Sequence, residues 1–375
     1  MKLTRLTLRG FKSIDSVGQT IDFGDMTVLL GANGAGKSNL ISFFKMLNLM
    51  TTESLQRFIG EQGYADSILH FGLKNTKCLS ANLVFSDGNN VRDYYSFVLS
   101  PGSGSDLIFD NESVSWENTV EDKSGVVDFG GGFKESRLIR DSKEDGNPSL
   151  FVLNLLKNCK VFQFHDTSNT ADIRSRKYID DNEFLRSNAG NLAAFLYVLK
   201  NRDDWRKSYN RIVRYIQLIL PQFDDFLLNP SPGNKDFIKL DWKGKDSDYR
   251  FGPHQLSDGS LRFMALATLL LQPEELRPKV IILDEPELGL HPAAIGTLAG
   301  MIRSVAVKSQ IIIATQATGM VNEFGADKIV VVEYDRIEKR SIFRRPANKV
   351  DLSEWLERYS LSELWEKNVL GGSPS

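Results

Sequence analysis

The apolar positions of the chain change their period from segment to segment, and these changes predict its elements. Leu3 to Leu8 alternates as a strand does, a turn follows at Gly10 and Phe11, and a second strand falls near Thr20 to Phe23. Met26 to Leu30 is a continuous apolar run ending at Gly31, the pattern of a buried strand that feeds a loop. Leu40, Ile41, Phe44 and Leu47 then recur at helical spacing, which predicts a helix over Ser38 to Leu49. Between residues 80 and 130, alternating pieces such as Leu79 to Phe85 and Tyr94 to Leu99 are broken by Gly, Ser, Asn and Asp. An antiparallel sheet with long loops is expected there. Lys134 to Ser149 is polar and mixed in charge and reads as a mobile surface loop, with a partner-binding element as the alternative.

Val161 to Phe164 is strand-like, and Asn182 to Leu228 turns helical. Its stripes are Leu192, Phe195, Leu196 and Leu199, then Ile212, Tyr215, Ile216 and Ile219, and Pro221 closes the helical block. Phe237 to Trp242 and Asp248 to Phe251 suggest a hairpin. Beyond it come a helix from Ser260 to Leu271, a buried strand from Val280 to Leu283, a helix from Pro292 to Val307 and a strand from Gln310 to Ala314. Lys328 to Glu333 and Arg340 to Arg344 are later strands, and Leu352 to Lys367 is a helical tail. Strands and helices alternate without an internal repeat, so the fold class is α/β.

Composition narrows the setting. The 375 residues are 41% hydrophobic and 25% charged, an ordinary globular balance, and no apolar run approaches the roughly 20 residues of a membrane helix. The first ten residues are charged and lack the apolar centre of a secretion signal, so a cytoplasmic location is expected. Cys78 and Cys159 alone offer neither a disulfide framework nor metal-type spacing. A net charge of -2 argues against a uniformly basic surface but allows a local basic patch.

The chemistry sits in three segments. Gly31-Ala32-Asn33-Gly34-Ala35-Gly36-Lys37-Ser38 fits G-x-x-x-x-G-K-[ST] between a strand and a helix, the context a phosphate-binding loop needs. Its glycines let backbone N–H groups turn toward phosphate oxygens, Lys37 neutralises the β and γ phosphates, and Ser38 ligates Mg²⁺. Asn33, Gly34, Ala35, Gly36 and Asn39 complete the expected ATP contacts. Val280-Ile281-Ile282-Leu283-Asp284-Glu285 places two acids after a buried strand: Asp284 to hold hydrated Mg²⁺, and Glu285 to orient and deprotonate the attacking water. Leu256-Ser257-Asp258-Gly259-Ser260-Leu261-Arg262 opens a helix and, taken alone, reads first as an ordinary turn with a helix cap.

Together these segments resemble the ATPase heads of the ABC type, on the side of the SMC, RecF and OLD proteins. Leu256 to Ser260 resembles the ABC signature with Asp258 in place of its first glycine, Leu8-Arg9-Gly10-Phe11-Lys12-Ser13 resembles the N-terminal strand and turn, and Asp284 to Pro292 resembles the Walker B motif and D-loop. Phe164-His165-Asp166-Thr167-Ser168 and the tail from Tyr359 to Gly372 resemble a bacterial group of AAA-type ATPases within that set. The resemblance implies a P-loop NTPase head with two lobes: lobe I over residues 1–165, a helical insertion and hairpin over 166–250 in place of a coiled coil, and lobe II over 251–375.

It also implies an ATPase that dimerises around ATP, with Ser257 and Gly259 of one subunit meeting the γ-phosphate held by the other. Gln163 is the expected Q-loop contact to Mg²⁺, with His165 and Asp166 as rivals; a zinc site using those two is the minor alternative. Gln316 stands where the family's switch usually carries His, and since it cannot become charged, slow hydrolysis is expected. The implied role is a conformational switch that controls a nuclease or Toprim-like effector in bacterial phage defence; the alternative is a RecF-like DNA repair or maintenance ATPase. The cations from Arg174 to Arg214 read first as a solvated helix face and otherwise as a surface for nucleic acid or a partner protein.

Overall fold

The computed structural model describes residues 1–142, 147–246, 248–346 and 355–371. Its contacts form two compact units: Met1–Val161 with Lys279–Ile282 and Gln310–Ser375, and Phe162–Pro278 with Leu283–Ser309.

The first unit holds two six-stranded sheets. One is antiparallel, in the order Gln19–Asp22, Lys2–Arg9, Leu79–Ser86, Val91–Pro101, Leu107–Asn118, Lys123–Gly130. Alternation buries Leu79, Ala81, Leu83 and Phe85 on one face, with Tyr95, Phe97 and Leu99 from the next strand. The long loops expected here are tight turns instead. Asp87 Oδ1 accepts from the backbone N–H groups of Asn89, Asn90 and Val91, and Asn118 Oδ1 accepts from those of Val120 and Glu121, so side chains close the chain reversals.

The other sheet runs in the order Arg340–Arg344, Ile329–Asp335, Met26–Leu30, Gln310–Thr315, Val280–Asp284, Cys159–Phe162. Met26–Leu30 is fully buried and lies parallel to both of its neighbours, which explains its unbroken apolar run. Helix Lys37–Met50 buries Leu40, Ile41, Phe43, Phe44 and Leu47 in the core of this unit. The buried Gln310 amide ties the unit together: it accepts from Leu3 N at 3.0 Å and donates to Leu3 O and Gly24 O at 2.7 and 2.8 Å.

The segment expected as a mobile loop is partly helical, with helices at Leu138–Asp141 and Pro148–Lys157, the second capped by Asn147. Residues 143–146 lie outside the described residues. The ordering comes from fully buried Glu112, whose carboxylate accepts from Tyr95 Oη at 2.6 Å, from Ser136 and from Arg137 N at 2.8 Å. Of the helical tail, Leu361–Glu366 is observed with a Ser360/Glu363 capping box, and residues 352–354 and 372 lie outside the described residues.

One inward position on the antiparallel sheet works against stability. Asp93 is 5% exposed and its Oδ2 finds no hydrogen-bond partner among the described residues. Burial, helped by the neighbouring Asp87 charge, pushes its pKa from 3.8 up to about 6. The unfolded chain therefore releases this proton first, and stability is lost as pH rises from the ordinary value through the folded one. Asp93→Asn should raise thermal stability at pH 7.5, by about 2–3 kcal/mol if the whole shift is recovered, and should change little near pH 4. Melting curves across pH check this; equal stability at pH 7.5 would count against it.

In the second unit, helix Asp258–Leu271 packs against Arg206–Ile219 and Pro292–Ala306. Helices Leu192–Asn201 and Arg206–Ile219 occupy the expected helical block, but Phe223–Leu227 is a strand paired with Asp241–Gly244. A register shift between Phe223 and Asp225 lets Phe223 and Phe226 both face inward at a spacing that reads as helical. The expected hairpin is also revised. Asn234–Ile238 pairs with Lys177–Tyr178, whereas Asp241–Gly244 pairs with Arg250–Phe251, the chain having switched sheets around Leu240. No helix among the described residues is long and apolar enough to cross a membrane.

Candidate functional site

The phosphate-loop residues and Gln316 belong to the first unit; Gln163, Ser257, Gly259, Asp284 and Glu285 belong to the second.

In the first unit, strand Met26–Leu30 delivers the chain to Gly31, and Gly34 and Gly36 take φ of 80° and 114°. Only glycine enters that region without strain. Nothing lies within contact range of a Cβ built on Gly34, whereas one on Gly36 would strike Ser341 Oγ at 2.1 Å. Ser341 Oγ donates to Ala35 O and meets the Ser13 hydroxyl, each at 2.7 Å, and so holds the loop from behind. Asn39 donates to the same Ser13 hydroxyl at 2.7 Å.

Helix Lys37–Met50 starts at Gly36 with no side-chain cap, so the positive end of its dipole is offered to an anion. Lys37, 4% exposed, donates Nζ to Gly31 O at 2.6 Å and Ala32 O at 3.0 Å, while Ser38, Asn33 and Gly34 are exposed. This cradle fits a polyphosphate. On the adjacent strand, Thr315 lies opposite Leu30 and its carbonyl accepts from Gly31 N at 3.3 Å, so Gln316 emerges exposed beside the start of the loop.

In the second unit, Asp284 ends a fully buried strand and is 7% exposed. The Gln163 amide donates to its carboxylate, and His165 Nε2 meets its backbone oxygen at 2.9 Å. Asp166 turns instead to Ser168, accepting from its N–H and its hydroxyl. Gln163 and His165 are thus brought to Asp284 and Asp166 is not. No cluster of three or more His, Cys, Asp or Glu side chains that could hold a metal ion occurs among the described residues. One carboxylate beside an amide suits Mg²⁺, which takes most of its ligands from water and phosphate. Glu285 has φ of 42°, a left-handed conformation that is costly for a non-glycine residue and here precedes Pro286. Asp284 and Glu285 line a cleft with Phe162, Phe164, His165 and Arg262.

The signature segment is held by two arginines. Ser257 caps helix Asp258–Leu271, its Oγ accepting from Ser260 N at 3.1 Å. Asp258 pairs with Arg174 at 2.8 Å, and that hydrogen bond holds its carboxyl below the usual range. Arg174 is buried and also donates to Thr167 O, Pro253 O and Leu256 O, so it leaves the set of cations read as a solvated face. Arg262 reaches from the helix to Phe164 O, His165 O and Leu288 O. Sequence reasoning missed both roles, since an arginine bound to distant carbonyls leaves no local pattern. Gly259 has a requirement of its own: a Cβ there would come within 2.3 Å of Gly289 O.

A glycine-cradled lysine at a helix start and a buried aspartate beside a glutamate define the class, a P-loop ATPase of the AAA, ABC and SMC type. The chain belongs to the family described as AAA domain, putative AbiEii toxin, Type IV TA system, whose model matches residues 26–319. Two SMC heads share the fold. The SMC head bound to the C-winged helix domain of ScpA matches with TM-score 0.53 at 17% identity, covering 92% of this chain and 97% of that one. The Pyrococcus furiosus SMC head with an extended coiled coil, bound to the C-terminal domain of ScpA, matches with TM-score 0.54 at 15% identity, covering 95% and 99%. The energy-coupling factor transporter ATP-binding protein EcfA2 of Caldanaerobacter subterraneus subsp. tengcongensis is 33% identical over 115 residues. That match spans 29% of this chain and 36% of the relative's length.

Proposed function

We propose that this chain is an ATP-driven conformational switch in which two copies close around ATP and hydrolysis releases them. The backbone of Gly34 to Ser38 and the Lys37 ammonium bind the triphosphate, with Asn33 and Asn39 at the edges of the loop. Ser38 of the first unit and Asp284 and Gln163 of the second are the residues that would hold Mg²⁺, which would neutralise charge on the phosphate oxygens. Glu285 takes the proton of the attacking water, Gln316 hydrogen-bonds the γ-phosphate, and Ser257 and Gly259 complete the site of the opposite copy. The observation that carries this reading is the Gln163 amide against buried Asp284, with Glu285 next in a left-handed turn. A structural carboxylate would need neither arrangement.

The switch would act on a nuclease or Toprim-like effector in cytoplasmic phage defence; the family's description as a putative toxin of a type IV system supports that direction. A RecF-like DNA role is the second reading. It is favoured by helix Arg206–Ile219, which carries no acid and exposes Arg206, Lys207, Arg211 and Arg214.

Mixing two inactive variants tests the clamp. Ser257→Arg should bind ATP but not hydrolyse it, and Lys37→Ala should not bind; in a mixed dimer one composite site is intact, so partial activity returns. Ser257 is chosen over Gly259 because Gly259 is already constrained by Gly289 within its own subunit. Loss of the Ser257 cap costs about 1 kcal/mol, which Ser257→Ala controls. Light scattering follows ATP-dependent dimerisation in the same samples. No rescue together with no ATP-dependent change in mass would leave an ordinary P-loop ATPase.

A further inference from the structure

We propose that Arg262 is a positioning residue for hydrolysis: from the signature helix it holds the segment that presents Gln163 and His165 to Asp284. The proposal rests on the ATPase reading and adds a residue to it. Arg262 spreads three donors over two segments. Nε donates to Phe164 O at 3.1 Å, Nη2 to His165 O at 2.8 Å, and Nη1 to Leu288 O at 3.1 Å. The first two carbonyls directly follow Gln163, whose amide meets the Asp284 carboxylate, and the second belongs to His165, whose ring meets Asp284 O. The third lies in the turn after Glu285, where Leu288 N donates to Glu285 O at 3.1 Å. One planar cation thus fixes the strand of chain on the metal side of Asp284 and the turn on its catalytic side.

The hold is reciprocal. Arg174, from the same downstream segment, grips Thr167 O and then Pro253 O, Leu256 O and Asp258 at the entry to the signature helix. The two arginines therefore lace residues 164–174 to residues 253–262 from both ends. Gly259 closes the third side, where even a methyl group would collide with Gly289 O. A displacement of the signature helix must carry the Phe164 and His165 carbonyls with it, and with them the amide over Asp284. Contact made at the signature is in this way reported to the metal-binding side chains of the same subunit. A lysine cannot replace this fork, because a single ammonium nitrogen cannot reach carbonyls on two segments in the planar geometry of a guanidinium.

The test uses the full chain with Arg262→Lys and Arg262→Gln, and Arg277→Lys as control. Arg277 is a buried arginine beyond the C-terminal end of the same helix, after the turn Glu274–Leu276, bonded to Ser309 Oγ at 3.1 Å and Leu270 O at 3.4 Å. ATP affinity in the Arg262 variants should stay within about twofold of wild type, while kcat falls about 10- to 100-fold and the half-saturating Mg²⁺ concentration rises by a similar factor. Arg277→Lys should lower Tm and leave the Mg²⁺ dependence where it was. Wild-type kcat and Mg²⁺ demand in folded Arg262→Lys would overturn the proposal, as would an equal Mg²⁺ shift in Arg277→Lys. Failure of the underlying reading shows elsewhere, in a wild-type protein that does not turn over ATP, and would remove the proposal with it.

Discussion

Glu285→Gln is expected to bind ATP, lose turnover by about 10²- to 10⁴-fold, and accumulate as an ATP-bound dimer. The substitution keeps the size and planarity of the side chain and removes only its capacity to accept the proton of the attacking water. Backbone geometry makes the comparison clean. Glu285 already occupies a left-handed conformation at φ 42° before Pro286, and Gln meets the same steric demand there. Any change in rate therefore reports charge and proton transfer, not a refolded turn. Steady-state phosphate release measures the rate, and light scattering with ATP measures the dimer. Near-wild-type turnover would require another residue as the base and would leave the strained position of Glu285 without a catalytic reason.

Lys37→Ala should remove ATP binding altogether at micromolar nucleotide. The Lys37 side chain is buried and its ammonium is braced on Gly31 O and Ala32 O, the first residues of the loop it completes. Alanine removes the charge that on the proposed reading faces the β and γ phosphates, and with it the bonds that hold the loop entry. Truncating a buried charge partner costs about 2–5 kcal/mol, or about 30- to 4000-fold in affinity. Calorimetric titration with ATP measures it, and the nucleotide-induced rise in Tm of the wild type should vanish in parallel. Affinity close to wild type would sink the phosphate-loop assignment, since no other residue of the loop carries a positive charge.

Much of the fold was legible because the relevant signals are local. The run Met26 to Leu30, ending in a glycine loop and followed by a helical stripe, needs only neighbours in sequence to be recognised as strand, loop and helix. The tail is legible only in part: the pattern predicts one helix from Leu352 to Lys367, and the Ser360/Glu363 box starts the observed helix at Leu361. Arg340–Arg344 matches its expected limits, and the antiparallel sheet follows from alternation, although Asx-type turns stand where long loops are expected.

Three other misread elements share one cause: their determinants are distant. Helix Leu55–Glu61, absent from the pattern, is capped by Glu135, which accepts from Leu55 N at 2.8 Å and Gln56 N at 3.0 Å from 80 residues away. Phe223–Leu227 looked helical because a bulge against Asp241–Gly244 turns both phenylalanines inward. The loop after Lys134 is ordered by Glu112, a buried carboxylate whose own position is set by the sheet.

The same division applies to the candidate chemistry. The sequence by itself pointed to the kind of reaction, because a phosphate cradle and an Asp-Glu pair are built from contiguous residues. The sequence offers Gln163, His165 and Asp166 as rivals, and only the tertiary structure decided that the first two attend Asp284 while Asp166 turns to Ser168. Gln163 and His165 reach Asp284 from a segment far away in the chain, Arg262 and Arg174 tie that segment to the signature helix, and these directional hydrogen bonds exist only after the segments have packed.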